Sequence, residues 1–287
     1  METKYKVILF YKFVDIADPK KLMKEQRELC EALGLKGRML IAEEGVNGTL
    51  EGTEENIEKY KRVLNDLKIF EDIKFKESEG NGKAFTKLQI TVKKEVVTLG
   101  AGKFDVKEET APELTAEELH NLYEQNEDFV ILDLRNDFEI EVGRMEKTVH
   151  PNLQNFRDLP QKIEEIKNLK AKKVVAVCTG GIRCEKATCL LKQEGFENIY
   201  QLKDGLHTYI QKFPGAHFKG SLFVFDNRMT TPVVDTPARE IIGRCLYCTA
   251  PSESFASDDS LRPSRKLICC DNCFSSHSAT LRRCTPR

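Results

Sequence analysis

Val174-Val-Ala-Val177 followed at once by Cys178-Thr-Gly-Gly-Ile-Arg183 and then Cys184-Glu-Lys-Ala187 is the stretch from which the fold is read. Four consecutive apolar residues, three of them β-branched, predict a strand buried on both faces, the mark of a central strand in a parallel sheet. Gly180 and Gly181 let the backbone fold back tightly, so that successive N–H groups point at one centre. A helix beginning near Cys184 adds its unpaired N–H groups and the positive end of its dipole. Arg183 adds a permanent cation. All three favour a thiolate over a thiol, and the thiolate is the nucleophile. A buried cysteine is ordinarily just a small apolar residue. Cys178, however, sits at the carboxyl end of a parallel strand, where open α/β sheets bind their ligands. It is therefore read as a reactive thiol, in a cradle of Thr179, Gly180, Gly181, Ile182 and Arg183 able to hold a persulfide or an anion. Cys184 is read as a resolving thiol or a helix-packing residue, and Cys189 as core.

Outward from this loop, Phe129–Asp133 and Lys173–Val177 read as strands, alternating with helical stretches near 160–168, 184–194 and 204–212. Thr115-Ala-Glu-Glu118 is a capping box that starts a helix. Such alternation predicts a parallel sheet covered by helices over residues 115–214. Asp133 and Arg135 end the first strand close to the Cys178 loop, as a buried ion pair or as pocket lining, and Arg157 is a further pocket candidate. Residues 101–114 carry many charges and Pro112 but no period, and read as a linker.

The first hundred residues follow a different pattern. Lys6–Phe13 is a strand, and Asp18-Pro19 opens a helix with Leu22, Leu29, Cys30 and Leu33 inward and Gly34 as its stop. Arg38–Ala42 and Val46–Leu50 are strands. Glu54–Leu67 is a helix with Ile57, Tyr60, Val63, Leu64 and Leu67 on one face. Ile73–Phe75 and Leu88–Leu99 complete the sheet. The order β-α-β-β-α-β is the split βαβ, or ferredoxin-like, pattern. Glu43-Glu44-Gly-Val-Asn-Gly48 is read as a hairpin turning at Asn47-Gly48, with a substrate-facing loop as the other reading. Lys93 and Lys94 read as a solvated face, with phosphate contact as the alternative.

Composition bounds the rest. The 287 residues are 40% hydrophobic and 32% charged with a net charge of -1, which suits a soluble protein and gives no global pull toward polyanions. METKYKVILFYKFVD has too short an apolar run for a signal peptide, and no stretch is long enough to span a membrane, so a cytoplasmic location is expected. In that compartment the ten cysteines point to catalytic or metal-bound thiols rather than disulfides. Residues 215–287 form a small cysteine-rich extension. In it Cys245-x2-Cys248 and Cys270-x2-Cys273 offer four thiolates for a structural zinc, with Cys269 and His277 as spare ligands. The competing reading is a loosely ordered tail with free thiols. Pro251–Arg265, rich in Ser, Asp and Pro, reads as a flexible loop.

The Cys178 loop, with Asp133-Leu-Arg-Asn-Asp137 and Gly143–Pro151, resembles the rhodanese (sulfurtransferase) fold. Related phosphatases use the longer Cys-x5-Arg loop, whereas here four residues separate Cys178 from Arg183. A wider resemblance rests on RMLIAEEGVNGTLEG at 38–52, KEVVTLG at 94–100, CTGGIRCEKA at 178–187 and SLFVFDNR at 221–228. In that order they are similar to the tRNA uridine hydroxylase family, also called rhodanese-related sulfurtransferases. The resemblance implies a ferredoxin-like domain at 1–100, a rhodanese domain and a cysteine-rich tail. It also implies oxygen-dependent conversion of the wobble uridine of tRNA to 5-hydroxyuridine, with molecular oxygen as co-substrate, Cys178 as the persulfide-type residue and the anticodon arm of tRNA as partner. Arg282, Arg283 and Arg287 would suit a weak tRNA contact.

The residues themselves identify no catalytic cofactor. A non-haem iron oxygenase wants two histidines and a carboxylate, but none of His120, His150, His207, His217 and His277 begins a His-x-Asp/Glu pair. No dinucleotide fingerprint follows a strand. Three functions therefore compete: a tRNA-modifying oxygenase, a sulfurtransferase moving sulfane sulfur to an acceptor, and a non-catalytic RNA-binding module.

Overall fold

Tyr5–Phe13 (β1) buries Val7, Ile8 and Phe10, and the Asp18 carboxylate then caps the helix Pro19–Ala32 (α1) by accepting from Lys21 N. This computed structural model describes residues 3–234, 239–258, 260 and 265–284. The chain divides into two compact units, Met1–Glu108 and Glu109–Arg287.

In the first unit, Lys36–Ala42 (β2), Gly45–Thr53 (β3), Glu54–Asn65 (α2), Phe75–Gly80 (β4) and Leu88–Val92 (β5) follow α1. The sheet order is β4-β1-β3-β2-β5, antiparallel except for the β2–β5 pair. Its first four strands carry the ferredoxin-like arrangement expected from the sequence, and β5 extends it. Ile8, Phe10, Met39, Ile41, Leu50 and Tyr60 are among the core residues between sheet and helices.

Four local expectations need correction. On α2 only Ile57, Tyr60 and Leu64 are buried, while Val63 and Leu67 face solvent. The fourth strand begins at Phe75 rather than Ile73, because Lys68–Phe70 form a 3-10 turn whose Phe70 carbonyl accepts from Ile73 N. The run from Leu88 leaves the sheet after Val92. Its Val96 N–H is taken by the Glu44 carboxylate and its Val96 carbonyl by Asn47 Nδ2. The hairpin turns at Glu43-Glu44, and Asn47-Gly48 lie within β3 paired with Leu40 and Met39. Gly48 is required there because the Phe10 ring lies where its side chain would be. Lys93 and Lys94 are exposed.

The second unit starts at the end of a short helix, Val106–Glu109 (α3). Its parallel sheet is built from Glu113–Leu114 (β6), Val130–Asp133 (β7), Thr148–Val149 (β9), Val174–Val177 (β10) and Ile199–Leu202 (β11), in the order β6-β11-β10-β7-β9. The last two residues of the expected linker are thus an edge strand. The helices are Ala116–Glu124 (α4), Asp137–Ile140 (α5), Leu159–Lys162 (α6, continued as a 3-10 turn), Ile182–Gln193 (α7) and Gly205–Lys212 (α8). Thr115 and Glu118 make the reciprocal capping box that starts α4. All four residues of β10 are buried, as a strand packed on both faces must be.

The extension beyond residue 214 packs onto this body. Phe218–Phe223 (β12) pairs with Gly143–Met145 (β8) and with Thr230–Pro232 (β13). Phe255–Asp258 (β14) pairs with Arg265–Ile268 (β15) and Leu281–Arg283 (β16), with Asp271–Ser276 (α9) between the latter two. The stretch read as a flexible loop, 251–265, therefore contains a strand whose Phe255 and Ala256 are buried. No helix among the described residues is long and apolar enough to cross a membrane.

Candidate active site

Cys178 begins where β10 ends, and its backbone is pinned from a second element. Its carbonyl accepts from Leu206 N at 2.9 Å, and that of Thr179 accepts from His207 N at 3.0 Å, so the first turn of α8 supports the loop. Gly205 makes this approach possible. Its φ is +70°, and a side chain would stand 2.6 Å from Gly181 N and 2.7 Å from the Cys178 carbonyl oxygen. Gly181, at φ 99°, turns the chain into α7 and donates its N–H to Cys178 Sγ at 3.2 Å.

The sulfur is fully buried. Burial alone would raise its pKa. It is overridden by a hydrogen bond from the Cys184 thiol, the charge of Arg183 and the N–H groups of Cys184 and Arg183, which together bring it down to about 5. Cys184 shifts the other way, well above the ordinary thiol value, through burial and then through the neighbouring Cys178 sulfur. The pair is thus one thiolate and one thiol donor. Cys189, pushed up to about 12 chiefly by burial, donates to the Glu185 carbonyl and is core.

Arg183 does not face open solvent. Its Nη1 and Nη2 donate to the two carboxylate oxygens of Glu139 at 2.5 and 2.9 Å, and Nη2 also reaches Thr179 Oγ1 at 3.2 Å. Glu139, fully buried on α5, also accepts from Asn136 N and from the Thr179 hydroxyl. Burial disfavours the guanidinium charge, but the Glu139 carboxylate outweighs it and raises the Arg183 pKa. Sequence reading missed Glu139. Its only local signal is the capping box Asn136-Asp-Phe-Glu139, a pattern that announces a helix start rather than a site.

Asp133 and Arg135 are a fully buried ion pair. Arg135 Nε and Nη2 reach the Asp133 oxygens at 2.9 and 2.6 Å, and Nη2 also donates to the Gly143 carbonyl. Of the two readings of this pair, the ion pair is the one observed. Arg157 is exposed, on the 3-10 turn Phe156–Asp158.

Phe225 borders the loop. Its ring centroid lies 5.9 Å from the Arg183 guanidinium carbon, and it meets Phe223 edge-on at 5.1 Å while staying 41% exposed. Lys266 Nζ stands over Phe138, Phe223 and Phe225 at 4.7, 5.1 and 5.9 Å. Beside them a polar cleft is lined by Asn136, Asp137, Gln154, Asn155 and Arg265 among others. The arrangement offers a stabilised thiolate, with an aromatic face and cations beside Arg183.

The four cysteines of the extension also converge. Cys245, Cys248, Cys270 and Cys273 hold their sulfurs within 4.8 Å of one another, with Cys248 and Cys270 3.6 Å apart. Ligands about 2.3 Å from a tetrahedral zinc lie roughly 3.8 Å apart, so the set fits that ion. Cys269 is buried with Ala256, Leu267 and Leu281 and His277 stacks on Tyr247, so neither spare candidate joins the group. Arg282 and Arg283 lie on β16; Arg287 lies outside the described residues.

Comparison with known proteins agrees with this division. Residues 5–96 match the UPF0176 acylphosphatase like domain, 115–212 the Rhodanese-like domain and 219–286 the Rhodanase C-terminal family. A tRNA uridine(34) hydroxylase of Bacillus licheniformis is 36% identical over 99% of this chain and 88% of its own. Proteins of the same name from Corynebacterium diphtheriae and Staphylococcus aureus are 38% and 39% identical, over 94% and 88% of this chain and 90% and 80% of theirs. With likeness of that extent across both units, the chain belongs to the tRNA uridine(34) hydroxylase family.

Proposed function

We propose that this chain is an oxidoreductase of the cytoplasm that hydroxylates the wobble uridine of tRNA to 5-hydroxyuridine, with molecular oxygen as co-substrate, an external two-electron donor to reduce its second oxygen atom to water, and Cys178 as the reactive thiol. The observation that carries the reading is the buried thiolate within an intact six-residue loop, in a chain alike throughout to relatives named for this reaction. Three N–H groups, the Cys184 thiol and Arg183 all favour negative charge on Cys178 Sγ. The same donors suit the terminal sulfur of a persulfide. A base must leave its stack to be modified, and a wobble base in the anticodon loop is already partly unstacked. Phe225 is the stacking face for such a base, and Arg265 and Lys266 meet the neighbouring phosphates of the anticodon arm. Binding through phosphates weakens with salt as counterions are released.

A structural zinc held by Cys245, Cys248, Cys270 and Cys273 belongs to the proposal. Its part is to fasten the β14–β15–β16 sheet, whose Phe255 packs on Phe223 at 5.3 Å and so supports the Phe225 face. Nucleoside analysis of tRNA tests the function. In a strain lacking every route to wobble 5-hydroxyuridine, this chain should restore the nucleoside. A gain of tRNA thiolation with 5-hydroxyuridine still absent would instead favour the sulfurtransferase, which the persulfide-sized cradle also suits. If neither nucleoside responds, the chain is a binding module.

A further inference from the structure

Away from the Cys178 loop, two histidines and a carboxylate from α4 and the α8–β12 connection meet. His120 and Glu124 lie one turn apart on α4, and His217 sits between α8 and β12 at φ 55°. One donor atom from each lies within 4.8 Å of the other two. His217 Nε2 is 3.1 Å and His120 Nε2 3.9 Å from Glu124 Oε1. Two ligands each about 2.1 Å from one ion are separated by roughly 3.0–3.4 Å. Closing the 3.9 Å His120–Glu124 separation around an ion therefore asks His120 Nε2 to move by roughly 0.5–0.9 Å.

The outward nitrogens are engaged as well. His217 Nδ1 is 3.1 Å from Glu146 Oε2, and His120 Nδ1 is 3.3 Å from the Tyr209 hydroxyl. Metal-bound histidines characteristically give their second N–H to a carboxylate or another oxygen, which fixes the tautomer and turns the free lone pair inward. Both rings are also clamped flat, His120 against Phe213 at 4.0 Å and 8°, and His217 against Tyr123 at 4.2 Å and 6°. Such clamping together with a left-handed backbone at a non-glycine residue is the kind of local cost that accumulates at binding sites. A simple ion pair between His217 and its two carboxylates accounts for the charges. His120 Nε2, one turn away on α4, faces the same Glu124 oxygen, so one carboxylate oxygen meets both imidazoles.

We propose that His120, Glu124 and His217 bind one divalent transition-metal ion of the zinc type, with Glu146 and Tyr209 orienting the two histidines. Imidazole and carboxylate ligands suit zinc, cobalt and nickel, and the exposed side of Glu124 leaves a position for water. The site joins α4, the α8–β12 loop and the β8–β9 turn. It shares no residue with the Cys178 loop and takes no part in the chemistry there. Sequence spacing hid it, because the carboxylate follows His120 by four residues and the second histidine comes from another element.

The test is cobalt titration of the full chain after removal of metals. Tetrahedral thiolate sites give intense sulfur-to-cobalt charge transfer, and a histidine–carboxylate site gives none. One equivalent should bind without that band, and His217→Ala and His120→Gln should each weaken it by 100-fold or more while leaving any thiolate-bound equivalent unchanged. Glu146→Ala should weaken it about 10–100-fold. If either histidine variant is poorly folded by circular dichroism, the other decides. Binding that is wholly thiolate in character, or a non-thiolate equivalent undiminished in the folded histidine variants, overturns the site.

Discussion

The two carboxylate oxygens of Glu139, itself fully buried, receive the two terminal nitrogens of Arg183 at 2.5 and 2.9 Å. Arg183 therefore serves two anions, the Glu139 carboxylate and the Cys178 thiolate. Removing either partner of such a buried pair leaves an uncompensated charge, at a cost of about 3–5 kcal/mol. Glu139→Ala and Arg183→Ala should each lose stability of that order in urea unfolding. The double variant should lose clearly less than the sum. Additive losses would mean that the two side chains do not act as a unit.

The Cys178 thiol should titrate near pH 5, while Cys30 and Cys189, pushed up to about 12 mainly by burial, remain thiols. Peptide-resolved alkylation between pH 4 and 9 checks this by its midpoints, since burial of Cys178 sets only the absolute rate. The folded value lies below the roughly 8.5 of a free cysteine. Its ionisation therefore adds stability that is complete above about pH 8.5, declines as pH falls, and is lost below about 5. Cys178→Ser should flatten stability over that window. An alkylation midpoint near that of a free thiol would remove the electrostatic account of the loop.

Gly205 is the narrowest contact behind the loop. Gly205→Ala introduces a methyl group 2.6 Å from Gly181 N at a φ of +70°, and only backbone movement relieves it. A destabilisation of about 1–3 kcal/mol is expected, with the Cys178 alkylation midpoint moving upward as the N–H groups shift. Unchanged thermal stability and an unchanged midpoint would show that α8 does not hold the loop.

One zinc per chain should be found at the four cysteines when the protein is prepared without chelator, by metal analysis. Stripping it should release hydrogen-exchange protection first across 255–283, because metal binding and folding are coupled in such segments. Protection of β10 should survive, since its partners β7 and β11 lie in the parallel sheet. Protection unchanged by chelation would separate the fold of the extension from metal.

What the sequence made legible follows from how locally each feature is encoded. The buried strand β10, the glycine turn and α7 are contiguous, so their hydrophobic run, backbone freedom and helix start could be read together. The ferredoxin-like order was legible for the same reason. Glu139 and Gly205 were not, because each meets the loop only through the fold: one arrives from α5 after β7, the other from α8 after β11. The strand ending at Val92 was overextended because Val96 and Leu99 are apolar and buried, but against a loop held by Glu44 and Glu95. The Asn47-Gly48 pair was misplaced because a strand glycine under Phe10 and a turn glycine look alike in sequence. The sequence also offered two readings of Asp133 and Arg135 without a means of choosing, since burial decides between an ion pair and a pocket.

The aromatic face makes a separate demand. If a base stacks on Phe225, Phe225→Ala should weaken tRNA binding by about 1–3 kcal/mol. Filter binding at fixed salt measures this, and it should leave the Cys178 midpoint in place. Phe225→Tyr should behave as wild type. Equal affinity for tRNA in the alanine variant would exclude the face from the substrate site.

The central claim, that the Cys178 thiol is required for the hydroxylation, is tested most directly by wobble 5-hydroxyuridine in tRNA from a strain with no other route to it. Wild-type protein should restore the nucleoside, and a folded Cys178→Ser, nearly isosteric but without a thiolate, should leave it absent. Restoration by Cys178→Ser to the wild-type level would contradict the account.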